Sequence, residues 1–113
     1  MKITRRQDNG VAIVLDVSGQ ITLGEEGTLL RNTIRELLDE GQKNILLNLG
    51  DVTYIDSSGL GELITAFTSV RNHGVELKLL NLTKRIHDLL QITKLYTVFD
   101  VKDDESAAVG AFK

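Results

Sequence analysis

Hydrophobic positions in this chain switch between a period of two and a period near 3.6. Val11, Ile13, Leu15 and Val17 alternate with other residues, which predicts a strand with one buried face. A shorter strand around Ile3 to Arg6 comes before it. Asp8-Asn9-Gly10 has the composition of a hairpin turn, so these two strands are predicted to pair antiparallel. Thr22-Leu23-Gly24-Glu25 then has capping-box spacing, and Leu30, Ile34, Leu37 and Leu38 form a helical stripe. Gly41 stands where a left-handed C-terminal residue closes such a helix. Residues 44–49 form the next strand-like run. Its nearly unbroken apolar character predicts a central strand covered on both faces.

The second half repeats the alternation. Leu60, Leu63, Ile64 and Phe67 lie at i, i+3, i+4 and i+7, predicting a helix that runs to about Asn72 and is closed by Gly74. Val75, Leu77 and Leu79 predict a strand. Thr83 is placed as the cap of a helix whose inner face is Ile86, Leu89 and Leu90. A short strand is expected at residues 97–101, and a terminal helix after Asp103 with Ala108, Ala111 and Phe112. Helical crossovers require parallel neighbours. The prediction is one α/β domain over residues 1–113, with a mixed sheet of four or five strands. The N-terminal hairpin is antiparallel, and the helices cover mainly one face.

Composition narrows the function without naming it. The 113 residues are 42% hydrophobic and 26% charged, enough for one ordinary core. A formal net charge of -3 argues against binding a nucleic-acid backbone, and the doublets Arg5-Arg6 and Lys84-Arg85 are too small to reverse that. The absence of cysteine leaves no disulfide or thiolate zinc site. The longest apolar run, residues 11–15, falls far short of the ~20 residues that span a bilayer, and no signal peptide precedes it. The expected location is cytoplasmic, with no membrane partner.

The chemistry concentrates at Asp56-Ser57-Ser58-Gly59-Leu60-Gly61, between an apolar strand and a helix start. Backbone N–H groups there lack intrahelical partners and favour negative charge. A serine so placed is either a cap or a modifiable switch. Gly59 and Gly61 suit close packing of the helix start against the sheet. His73 and His87 have no further ligands at useful spacing, so neither a metal nor a cofactor is expected. Gly59-Leu60-Gly61 is too short for a dinucleotide fingerprint. Asp51 and Asp56 flank a presumed loop with no base to activate Ser57. An intrinsic enzyme is not expected.

The run Asp51-Val52-Thr53-Tyr54-Ile55-Asp56-Ser57-Ser58-Gly59-Leu60-Gly61 resembles the signature segment of bacterial anti-sigma factor antagonists, the stand-alone STAS domains. The likeness extends over essentially the whole chain in element order. It implies the STAS fold and a partner-switching role. The serine after the aspartate, here Ser57, would be phosphorylated by an anti-sigma serine kinase with a histidine-kinase-like ATPase fold. A PP2C-type phosphatase would reverse this. The unphosphorylated form binds the kinase, and the phosphorylated form is released. Ser58 is then assigned the cap, and Asp56 the orientation of the loop or the incoming hydroxyl. The implied partner surface comprises Gln20, Thr22 and residues 56–61. The family commonly carries Gly-Glu-(Ile/Leu)-Asp where this chain has Gly19-Gln20-Ile21-Thr22, so two acids of that surface are missing. The alternative is a non-phosphorylated STAS subunit of a signalling assembly, or an accessory to a lipid transporter.

Overall fold

The computed structural model describes residues 2–8, 10–22, 25–95 and 99–112, with backbone alone at 8 and 25–28. The elements run β1 (Lys2–Asp8), β2 (Ala12–Ile21), α1 (Glu25–Asp39), β3 (Asn44–Ile55), α2 (Ser57–Asn72), β4 (Glu76–Leu80), α3 (Lys84–Ile92), β5 (Asp100–Lys102) and α4 (Glu105–Gly110). The sheet order is β1-β2-β3-β4-β5. The β1–β2 hairpin is antiparallel as expected, with Gly10 at φ +69°, and the remaining neighbours are parallel. Residues 23 and 24 of the capping box, the Glu25 side chain and residues 97 and 98 of the strand expected at 97–101 lie outside the described residues. Strand β5 is observed at Asp100–Lys102.

Strand β3 corrects the sequence reading: it does not stop at Leu49 but continues to Ile55. Two register shifts make this possible. Asp16 pairs with Asn48 but Ser18 with Asp51, and Gly19 pairs with Val52 but Gln20 with Tyr54. Strand β3 thus carries an extra residue twice, and each bulge turns the side-chain alternation over. Leu49, Val52 and Ile55 all stay buried although they stand three residues apart, which plain alternation would send to opposite faces. Gly50 N–H donates to Asn48 Oδ1 at 3.1 Å, and Thr53 Oγ1 donates to the Gly19 carbonyl at 3.1 Å. Gly19-Gln20-Ile21 forms the end of β2, with Gly19 at φ +94°.

One sheet face carries the main core. Leu15, Leu47 and Leu79 pack there with Leu30 and Leu37 of α1, Leu63 and Val70 of α2, and Ile86 and Leu90 of α3. Helices α1 and α2 end in the same way. Gln42 N–H donates to the Leu37 carbonyl and Val75 N–H to Val70, with Gly41 and Gly74 in the left-handed region. The other face carries a smaller apolar cluster, with Ala12, Val14, Leu46 and Leu80 under Ala108, Val109 and Phe112 of the α4 segment. Ala111, expected within the terminal helix, is its exposed C-cap, while Val109 is buried.

Polar contacts hold α4 to this second face. Arg6 on β1 donates to Asp16 Oδ2 at 2.6 Å and to Glu105 Oε2 at 2.8 Å, while Asn48 donates to Asp16 Oδ1 at 2.8 Å. Lys78, only 8% exposed, pairs with Asp100 and lies 5.1 Å from the Phe112 ring centroid. A buried ammonium without such a partner would be strongly destabilising. Among the described residues no helix is long and apolar enough to cross a membrane.

The Arg6 guanidinium, with help from Asn48, holds the Asp16 carboxyl below its ordinary 3.8. A depressed folded pKa contributes stability that is complete above the ordinary value and fades as pH falls through the lowered one. Asp16→Asn is therefore expected to destabilise the fold at pH 7, with the gap to the parent shrinking below about pH 4. Urea unfolding at pH 7 and pH 3 measures this.

Candidate functional site

The carboxyl edge of the parallel strands, where β3 hands over to α2, collects most of the residues singled out from sequence. Asp56 is the N-cap of α2. Its backbone is extended (φ -111°, ψ -176°), and its Oδ1 accepts the Gly59 N–H at 2.7 Å. The assignment of the cap to Ser58 is corrected here. A capping side chain must stand just before the first helical residue to reach the third N–H, and Asp56 does so. Ser57 and Ser58 occupy the first two helical positions, both exposed. Neither hydroxyl hydrogen bonds to another described residue.

Gly59 is fixed by contact. A Cβ at this position would lie 1.8 Å from the Ile21 carbonyl oxygen and 3.1 Å from Ile55 Cγ1. The first turn of α2 is pressed directly onto the end of β2, and Leu60 is buried beside it. The same contact brings Gln20 and Thr22 next to the Asp56–Ser57 turn, since Gln20 pairs with Tyr54 and Ile21 with Ile55. Gln20 is exposed and Thr22 half-buried. The close-packing role expected for Gly61 is not observed, because a Cβ there would meet nothing within 4 Å.

Other candidates separate. With β3 extended through Ile55, Asp51 and Asp56 stand roughly 16 Å apart along the strand, too far to share a proton or a metal. Among the described residues no group of three or more metal-ligating side chains occurs. His73 contacts the Ser69 carbonyl at 2.8 Å, and His87 lies 3.7 Å from Asp88. Sequence reasoning missed two neighbours of the turn. Arg85 lies over the Tyr54 ring, 4.4 Å from its centroid. Glu62, one turn into α2, is 12% exposed and forms an ion pair with Arg31 of α1 at 2.8 Å. The Lys84-Arg85 doublet directly after the Thr83 cap was the only sequence signal for the first, and nothing marked the second.

The site therefore consists of an exposed, unbonded hydroxyl on a capped helix start, seated on a rigid strand end. Residues 2–108 match the STAS domain family model, and the chain belongs to this family. It is 32% identical over 97 residues to the anti-sigma-B factor antagonist of Bacillus subtilis (strain 168), covering 86% of this chain and 87% of that protein. Among solved structures, an anti-sigma factor antagonist from Mycobacterium paratuberculosis matches with a TM-score of 0.81 at 19% identity, covering 98% of this chain and 94% of that one. The Bacillus cell fate determinant SpoIIAA in its phosphorylated form matches with a TM-score of 0.71 at 18% identity, over 94% and 96% of the two chains. At these identities the structural likeness supports the fold.

The two glycines of the signature are expected to respond oppositely. Gly59→Ala forces backbone apart at Ile21 and should cost at least about 2 kcal/mol. Gly61→Ala, on an open helix face, should gain about 0.5–1 kcal/mol. Urea unfolding of the two variants beside the parent checks both signs.

Proposed function

We propose that this protein is an anti-sigma factor antagonist that works by partner switching, with Ser57 as the group that is phosphorylated. The observation that carries this reading is the Ser57 hydroxyl, which is exposed and uncommitted at the first position of α2 while Asp56 does the capping. A serine used as a cap would have to give up its bond to be modified, and Ser57 has none to give up. In the transfer, Ser57 Oγ attacks the γ-phosphorus of ATP held by the kinase, ADP leaves, and the hydroxyl proton passes to the kinase. This chain supplies the acceptor and its orientation. The base and metal belong to the partner, an anti-sigma serine kinase, and a PP2C-type phosphatase hydrolyses the product.

The electrostatics suit a local switch. Phosphate adds a charge of about -1.5 to -2 at a helix terminus whose free N–H groups stabilise it by ~0.3–1 kcal/mol. Asp56 adds a second negative charge beside it, so a partner surface that accepts the neutral turn meets a doubly acidic one after transfer. A tenfold change in binding needs about 1.4 kcal/mol, within reach of one phosphate without refolding. Gln20, Thr22, Ser58, Leu60 and Gly61 complete the surface around Ser57. With Gln20 and Thr22 neutral, the kinase meets amide and hydroxyl groups at the end of β2. This mode of action places the protein in the cytoplasm with its kinase.

Incubation with the cognate kinase and ATP, followed by mass spectrometry, is expected to give one phosphate on the parent, none on Ser57→Ala and one on Ser58→Ala. A stable kinase complex should form with Ser57→Ala and weaken at least tenfold with Ser57→Glu. Phosphate persisting in Ser57→Ala would remove Ser57 as the acceptor. A complex indifferent to both substitutions would favour a non-switching STAS subunit.

A further inference from the structure

Helix α3 makes three choices that its own stability disfavours. Lys84 and Arg85 fill its first turn with positive charge and no acid, although the N-terminus of a helix favours the opposite sign. Ile92 at its other end is 78% exposed, the most exposed large hydrophobic residue among those described. Local rules broken together within one short element mark a functional surface more often than a structural one.

The three residues line one feature. Lys84, Arg85, Asp88, Leu89 and Ile92 form one wall of a groove of about 430 Å³, and Ile55 forms the other. Ile55 directly precedes Asp56 and Ser57, so the groove opens beside the switch turn. The rim is cationic. The Lys84 side chain is 92% exposed, and its only ion pair among the described residues is a 3.7 Å contact with Asp88. Arg85 makes no ion pair or hydrogen bond with a described residue. Its guanidinium carbon lies 4.4 Å from the Tyr54 ring centroid, and the residue is exposed, within reach of a partner's carboxylate. This patch stands out on a chain whose net charge is -3.

We propose that the α3 groove docks an acidic amphipathic helix of a protein partner, with its apolar side on Leu89, Ile92 and Ile55 and its carboxylates on Lys84 and Arg85. Apolar anchors within a groove flanked by charged complements are the usual terms of helix-in-groove recognition. The groove extends the partner-binding role proposed above from the Ser57 turn to α3, and rests on that reading for the existence of a protein partner. Docking here depends on the side chains of α3 and needs no modification of Ser57.

The test uses the ¹⁵N-labelled full chain and two synthetic helical peptides. One carries glutamate on its polar face and leucine on the other, and the second has lysine in place of every glutamate. The glutamate peptide is expected to shift the amides of Lys84, Arg85, Leu89 and Ile92 and to bind at least tenfold tighter than the lysine peptide. Ile92→Ser and Arg85→Glu should each weaken it at least tenfold, and higher salt should weaken it further. Both substituted side chains are on the surface and work against the stability of α3, so the loss is expected without a fall in the thermal unfolding midpoint. Equal binding of the two peptides, amide shifts that map elsewhere, or affinity unchanged in Ile92→Ser would overturn the proposal. So would sedimentation showing that α3 is already covered by a second copy of the chain. Because the peptides need no kinase, a negative result here and a negative result at Ser57 are distinguishable.

Discussion

Where the first turn of α2 meets the end of β2, backbone lies against backbone, and the placement of Asp56, Ser57 and Ser58 follows from that contact. Gly59 sits so close to the Ile21 carbonyl that no side chain fits between them. The helix axis is thereby fixed relative to the sheet, and with it the direction in which the first residues of α2 project. Asp56 closes the turn by accepting the Gly59 N–H, which ties the same glycine to the cap. Ser57 is left with nothing to hold. An exposed hydroxyl on rigid backbone presents one geometry to a partner and costs that partner little ordering entropy.

The rest of the fold supports that corner. Two bulges let β3 run on beside β2 through Ile55, so both strands reach the turn together. Three helices bury the main face. The second face is thinly covered by α4 and tied by the Arg6, Asp16, Asn48 and Glu105 contacts and by Lys78 with Asp100. The division of labour is physical: apolar area holds the switch side of the sheet, and charge-assisted bonds hold the side away from it.

Much of this was legible in the sequence because it follows from periodicity and capping chemistry. The stripes at Leu30, Ile34 and Leu37 and at Leu60 and Leu63, the glycines at 41 and 74 and the Thr83 cap all specify local geometry through local residues. What was hidden depends on pairing across the sheet. Gly50-Asp51 interrupts the apolar run of β3, and only the neighbouring strand shows that the break is a bulge. The cap falls to Asp56 because it is the residue ahead of the first helical turn, a position that neither serine occupies. Gly61 looked equivalent to Gly59 until the Ile21 carbonyl was seen over one and open space over the other. Arg85 over Tyr54 joins residues 31 apart in sequence, beyond any pattern in the chain itself.

The switch proposed for Ser57 is a change of charge on a fixed scaffold. Phosphoserine incorporated directly at position 57 isolates that claim from any kinase, and amide chemical shifts compare the two forms residue by residue. The predicted result is that shifts change at Gln20 to Thr22 and Tyr54 to Gly61, while the amides of Leu15, Leu47 and Leu79 in the core stay where they were. Shift changes spread across the sheet and α1 would contradict it and require a switch that repacks the fold.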